Sequence, residues 1–138
     1  MELIKVFLTK LIKDSASDDK LFIRNLLKDY LQVLVLDFVY SNRKYSQLVF
    51  YGGSSLAHCY KMPRLSEDLD FVDLKKKIEI SELAKDLEVY FKKKTDLAVK
   101  VVIQKFRIYL KFPLLRELGL AGKSESDLLF LKIEIFNE

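Results

Sequence analysis

From Lys20 to Ser41 the chain contains neither glycine nor proline, and its pattern is helical and very apolar. A helix hydrophobic on most sides belongs in a protein interior, so this one is expected to be largely buried. Only four glycines and two prolines punctuate the whole chain, and neither an internal repeat nor a low-complexity linker is visible. Residues 2–13 read as a short amphipathic helix, and the polar segment Ser15 to Asp19 offers N-cap residues for the helix that follows. Gln47 to Tyr51 is a short β-type run that stops at Gly52-Gly53. Ser54 to Lys61 suits a short helix ended by Pro63, because the residue before a proline disfavours the α conformation.

Glu67 to Leu74 alternates acidic and apolar residues, as a strand does, and Ile80 to Lys94 is again helical. Leu97 to Phe112, rich in Val, Ile, Phe and Tyr, is expected to give one long or two short strands. Pro113 to Ser126 is expected to be irregular with one helical turn, and Leu128 to Phe136 to form a last strand. The sum is an α+β fold, a small mixed sheet backed by helices, with N-terminal helices in front of it. Its 138 residues suit one domain, 1–138, of a size that buries roughly two-thirds of its unfolded surface.

Composition excludes several classes. With 50% hydrophobic and 32% charged residues the chain reads as an ordinary soluble globular protein. Its single cysteine, Cys59, permits no internal disulfide, which fits a reducing compartment. Glu2, Lys5 and Lys10 interrupt any signal-peptide core, and the apolar stretch Leu31 to Tyr40 is broken by Asp37 and too short for a bilayer. The expected location is cytoplasmic, with no membrane partner. Net charge is +4. The lysine runs 75–77 and 92–94 read as solvated helix surface, with contact to nucleic-acid phosphates as the alternative.

Two features carry chemistry. In the strand 67–74, Asp68 and Asp70 stand two residues apart, which puts both on one face about 6–7 Å apart along the backbone. Leu69 and Phe71 then point the other way, into the core. Two acids anchored on a strand make a rigid hard-oxygen site for magnesium or manganese and substrate phosphates. Acids also decorate ordinary solvent-facing strands, and Glu67 and Asp73 read as surface residues of that kind. The second feature is the turn Phe50-Tyr-Gly-Gly-Ser-Ser-Leu56. Gly52 and Gly53 permit close backbone approach to a ligand, and Ser54 and Ser55 start a helix whose free N–H groups favour anions. Taken alone, this turn also fits a plain tight turn with a serine N-cap.

Strand, Gly-Gly-Ser, short helix, then a strand with D-x-D resembles the nucleotidyltransferase superfamily that includes DNA polymerase β. The stretch from Phe50 to Phe71, with Pro63-Arg64, Ser66-Glu67-Asp68 and Asp70-Phe71, resembles more closely the AbiEii/AbiGii-type toxin nucleotidyltransferases of toxin–antitoxin and phage-defence systems. The resemblance implies a nucleoside triphosphate substrate, a divalent metal, a tRNA or protein acceptor and an antitoxin partner. It also implies a third acid on a later strand, often in a Lys-x-Glu pattern, and Lys132-Ile-Glu134 supplies one. Asp68, Asp70 and Glu134 would hold the metal, Lys132 would pair with the triphosphate or the acids, and Gly53 and Ser54 would hold phosphates. The alternative for Lys132 and Glu134 is a rim salt bridge. Arg64 either braces the triphosphate or steadies its loop, His58 lies one turn after Ser54, and Cys59 reads as a small core residue.

Members of that family continue into a helical C-terminal region, whereas this sequence stops at Glu138. The expectation is therefore a catalytic core whose apolar surface is covered by a second copy or another partner, and whose transfer is slow. A truncated, non-catalytic module that binds nucleotide, RNA or a partner protein is the rival reading.

Overall fold

The computed structural model describes residues 1–51 and 68–137. Helix α1 (Ile4–Ser15) begins two residues later than the pattern suggests. The reason is that Glu2 is already engaged in a parallel β-bridge to Thr95, its amide donating to the Lys94 carbonyl at 2.8 Å. No local side chain caps α1. Asp96 does so instead from 92 residues away, its Oδ1 accepting from the Ile4 and Lys5 amides at 2.8 and 3.2 Å. Helix α2 (Lys20–Ser41) starts as the sequence indicates, with Asp19 Oδ1 accepting from the Leu21 and Phe22 amides. Its burial is one-sided: Ile23, Leu27, Leu31, Val35 and Val39 enter the core, while Leu21, Phe22, Val33 and Tyr40 stay exposed. Helix α3 (Ile80–Lys94) buries Leu83, Ala84, Leu87 and Phe91.

Among the described residues five strands form one mixed sheet: β1 (Val49–Tyr51), β2 (Asp68–Val72), β3 (Lys100–Gln104), β4 (Arg107–Pro113) and β5 (Leu128–Phe136), in the order β1-β2-β5-β4-β3. β2 pairs with β5 in parallel, and the other three of these pairings are antiparallel. The Leu97–Phe112 stretch thus splits into two strands, with Lys105 in the left-handed region (φ 57°) at the turn between them. Residues 114–127 make turns rather than a helix, pinned by the Arg116 guanidinium donating to the Glu125 carbonyl at 2.7 Å. Period-two alternation decides the layering. Leu69, Phe71, Ile108, Leu110, Phe112, Leu131, Ile133 and Ile135 are buried and join the helices in one core. The other face of the same strands carries the charged residues. Among the described residues no helix is long and apolar enough to cross a membrane.

Two surface expectations are overturned. Asp73 is fully buried, because the chain turns sharply out of β2 and its carboxylate accepts from the Lys77 and Ile78 amides at 3.4 and 2.8 Å. Lysines 75–77 lie in that turn, exposed and outside any helix, with Lys76 at φ 51°. The run 92–94 does form the exposed last turn of α3, where positive charge complements the helix dipole. Glu67 lies outside the described residues.

Removing the Asp73 carboxylate leaves two inward amides without an acceptor. Asp73→Ala is expected to lower stability by about 2 kcal/mol, read as a fall in the urea midpoint. An unmoved midpoint would show that the turn holds without it.

Candidate active site

Strand register lays out the polar face of the sheet as a grid. One row runs Tyr51, Asp70, Glu134, Arg107, Gln104 across β1, β2, β5, β4 and β3. The next runs Asp68, Lys132, Tyr109, Val102, and a third Phe130, Lys111, Lys100. Neighbouring strands lie about 4.8 Å apart, so three carboxylates drawn from two strands fall within reach of one another. Asp68, Asp70, Lys132 and Glu134, the four residues that the sequence singles out on strands, are all brought together here.

The ammonium of Lys132 sits between two of the acids, 3.2 Å from Asp68 Oδ2 and 3.1 Å from Glu134 Oε1. Glu134 is the more buried of the two acids that Lys132 bridges, with its side chain 12% exposed against 39% for Asp68, so it has the greater need of compensating charge. It has a second cation, Arg107, whose Nε approaches Oε1 at 3.2 Å without an aligned hydrogen bond. The titration behaviour reflects this crowding. Burial first, then the charges of Glu134 and Asp68, hold the Asp70 carboxyl above the ordinary carboxylate value, against the opposing pull of Lys132. The hydrogen bond to Glu134, aided by Asp68, raises Lys132 above the ordinary lysine value despite partial desolvation.

Aromatic rings close one flank. Tyr51 and Phe106 pack against Phe136 at centroid distances of 5.8 and 5.3 Å, and the Arg107 guanidinium lies 4.9 Å from the Phe106 ring. Arg107 is the participant that sequence reading missed. Its signal was present, since Arg107, Tyr109 and Lys111 alternate with buried Ile108, Leu110 and Phe112. Only the antiparallel β4–β5 register, however, reveals that Arg107 faces Glu134.

The donor set fits a divalent cation in its chemistry: three hard-oxygen acids on two adjacent strands, one of them, Asp70, held above the ordinary carboxylate value by burial first and by the other two acids second. Among the described residues, no three acid, histidine or cysteine side chains already converge at ligand geometry; Lys132 bridges Asp68 and Glu134 in their place. Gly52, Gly53, Ser54, Ser55 and Arg64, together with His58 and Cys59, lie outside the described residues. The strand that leads into them ends at Tyr51, whose Cα pairs with that of Asp70.

The model of one family, described as nucleotidyl transferase AbiEii toxin of a Type IV toxin–antitoxin system, matches residues 37–137. That span contains every strand of the sheet and all four clustered residues. No curated protein matches the chain.

Two substitutions separate the parts played by charge in this cluster. Lys132→Met leaves Asp68 and Glu134 without their shared cation, so in chelator its melting temperature is expected to fall by a few degrees. Manganese, followed by electron paramagnetic resonance, is expected to bind the variant more tightly than the wild type. Equal manganese affinity would show that Lys132 and the metal do not compete. For Asp70 the sign is opposite. Its folded value lies above its unfolded one, so ionised Asp70 opposes folding at neutral pH, and the opposition fades as pH falls through the raised value. Asp70→Asn in chelator is therefore expected to melt higher than wild type at neutral pH, with the gain vanishing near about pH 4. A lower melting point at neutral pH would contradict the crowding.

Proposed function

Because the chain belongs to the nucleotidyl transferase AbiEii toxin family, we infer that it transfers a nucleotidyl group from a nucleoside triphosphate to an acceptor hydroxyl, in a reaction needing magnesium or manganese. The observation that carries this reading is the pairing of Asp70 with Glu134 beside Asp68 on one sheet face. Asp68, Asp70 and Glu134 would hold the ion, which supplies neutralising charge for the phosphates and lowers the cost of forming the attacking oxygen. The acceptor hydroxyl gives its proton to solvent, its oxygen attacks the α-phosphorus in line, the new bond to phosphorus forms as the bridging bond to the β-phosphate breaks, and pyrophosphate leaves.

The protein's own cations divide the remaining work. Lys132, on a flexible stem, holds Asp68 and Glu134 and would turn to the triphosphate when it binds. Arg107 braces Glu134 from β4 and keeps its carboxylate aimed across the sheet. Gly52, Gly53, Ser54, Ser55 and Arg64 are assigned to the phosphates on sequence grounds. The family suggests a tRNA 3′ end or a protein side chain as acceptor and an antitoxin as partner. A second reading, a nucleotide- or RNA-binding module without turnover, is favoured by one observation: Lys132 already satisfies two of the three acids.

Incubation of the purified chain with α-labelled nucleoside triphosphates, total tRNA and magnesium discriminates the two. Label is expected to enter tRNA, to be lost with chelator, and to drop at least about a hundredfold in Asp70→Asn and Glu134→Gln, about 2.7 kcal/mol of transition-state stabilisation. Gly53→Val is expected to weaken nucleotide binding by blocking backbone approach. Nucleotide binding without transfer to tRNA or to protein would leave the binding module as the surviving account.

A further inference from the structure

Next to the acids, on the same sheet face, lies a surface that the transfer chemistry does not use. Val102, Ile103, Gln104, Tyr109, Lys111 and Phe130 line a depression of about 400 Å³ on β3, β4 and β5. Its chemistry differs from that of the neighbouring cluster. The lining has no carboxylate, Phe130 is 42% exposed on a strand whose alternate residues are buried, and Lys111 lies 5.4 Å from the centre of the Phe130 ring. The register adds a second lysine, since exposed Lys100 pairs with Lys111 and shares its face. Tyr109 pairs with Lys132, and Phe130 lies on β5, the strand that carries Glu134, so the depression borders the cluster of acids.

We propose that this face is the seat of a single-stranded polynucleotide, whose bases stack on Phe130 and Tyr109 and whose phosphates meet Lys100 and Lys111, with its end delivered to Asp68, Asp70 and Glu134. Ring faces with cations beside them suit a strand of stacked bases and phosphates, because every base offers a π-face whatever its sequence. The charge pattern also sets polarity across the sheet: lysines and aromatics on β3, β4 and the start of β5 hold the strand, and the acids on β2 and the end of β5 receive only its terminal nucleotide. The assignment rests on the transfer reading for what happens at that terminus, but strand binding itself needs neither nucleotide nor metal.

The test uses the full chain in chelator, without triphosphate, and a fluorescein-labelled twelve-nucleotide single-stranded RNA followed by anisotropy. Phe130→Ala is expected to weaken binding about tenfold and Phe130→Trp to preserve it. Lys100→Gln with Lys111→Gln is expected to lower the slope of log affinity against log salt by about 1.4. Asp68→Asn, which disables the transfer reading, is expected to leave strand binding intact or stronger. Light scattering on the same variants separates the other occupants. If Phe130→Ala leaves RNA affinity unchanged, or instead abolishes self-association of the chain, the proposal fails and the surface is not a strand seat. If strand binding follows Phe130 and the lysines but no transfer occurs, the platform stands and the enzymatic reading falls.

Discussion

The parallel pairing of β2 with β5 is the constraint on which the rest depends. It sets Asp70 opposite Glu134 and Asp68 opposite Lys132, and a slip of β5 by one residue would turn Lys132 and Glu134 into the core. What fixes the register is the apolar side of the same two strands. Leu69, Phe71, Leu131, Ile133 and Ile135 are buried, each contributing roughly 1.5–3 kcal/mol, and together they outweigh the repulsion among acids that the register imposes. The ladder is continued past the strand end by the Asp73 amide donating to the Phe136 carbonyl at 2.7 Å, while the Asp73 side chain folds the chain away towards α3. One buried carboxylate thereby terminates the strand that presents two others.

Charge in this molecule is distributed by depth. The exposed pair of Lys44 with Glu82 and Asp86 ties the end of α2 to α3 in high dielectric, where such contacts contribute little. The cluster around Glu134 is deeper, so its cations matter more, and they are of two kinds. Arg107 is held beside a phenyl ring, with its Nε near Glu134. Lys132 makes point contacts to Asp68 and Glu134 from a flexible stem.

Much of this was legible in the sequence because it follows from periodicity. The helices at Lys20–Ser41 and Ile80–Lys94 and the strand Leu128–Phe136 carry their 3.6- and 2-residue patterns plainly, and the observed limits coincide with them. The acids were legible because D-x-D and Lys-x-Glu each place like residues on one face of one strand. Interactions that depend on pairing between strands distant in sequence were not. Nothing local to Arg107 says that β4 runs antiparallel to β5 in the register that meets Glu134. Asp73 falls in phase with the core-facing Leu69 and Phe71, so alternation points it inward, and it was read as a surface residue from its charge rather than from its phase. The start of α1 was misplaced for a related reason: Glu2 is held by Thr95, a partner that no window of sequence around it contains.

That attachment has a topological consequence. The first helix has neither a side-chain cap of its own nor an acidic first turn, and the side chain that accepts from its opening amides is Asp96, at the junction between α3 and β3. Closing so long a loop costs entropy that grows with its logarithm, and the cost is met only when the junction is already in place. Helix α1 is thus a latch rather than a foundation. Its bonds to Asp96 need the junction of α3 and β3 in place, so once seated it reports on that junction. An amide at Ile4 or Lys5 that exchanges slowly with solvent is a signature of a completed fold, read at the opposite end of the chain from the strand that completes it.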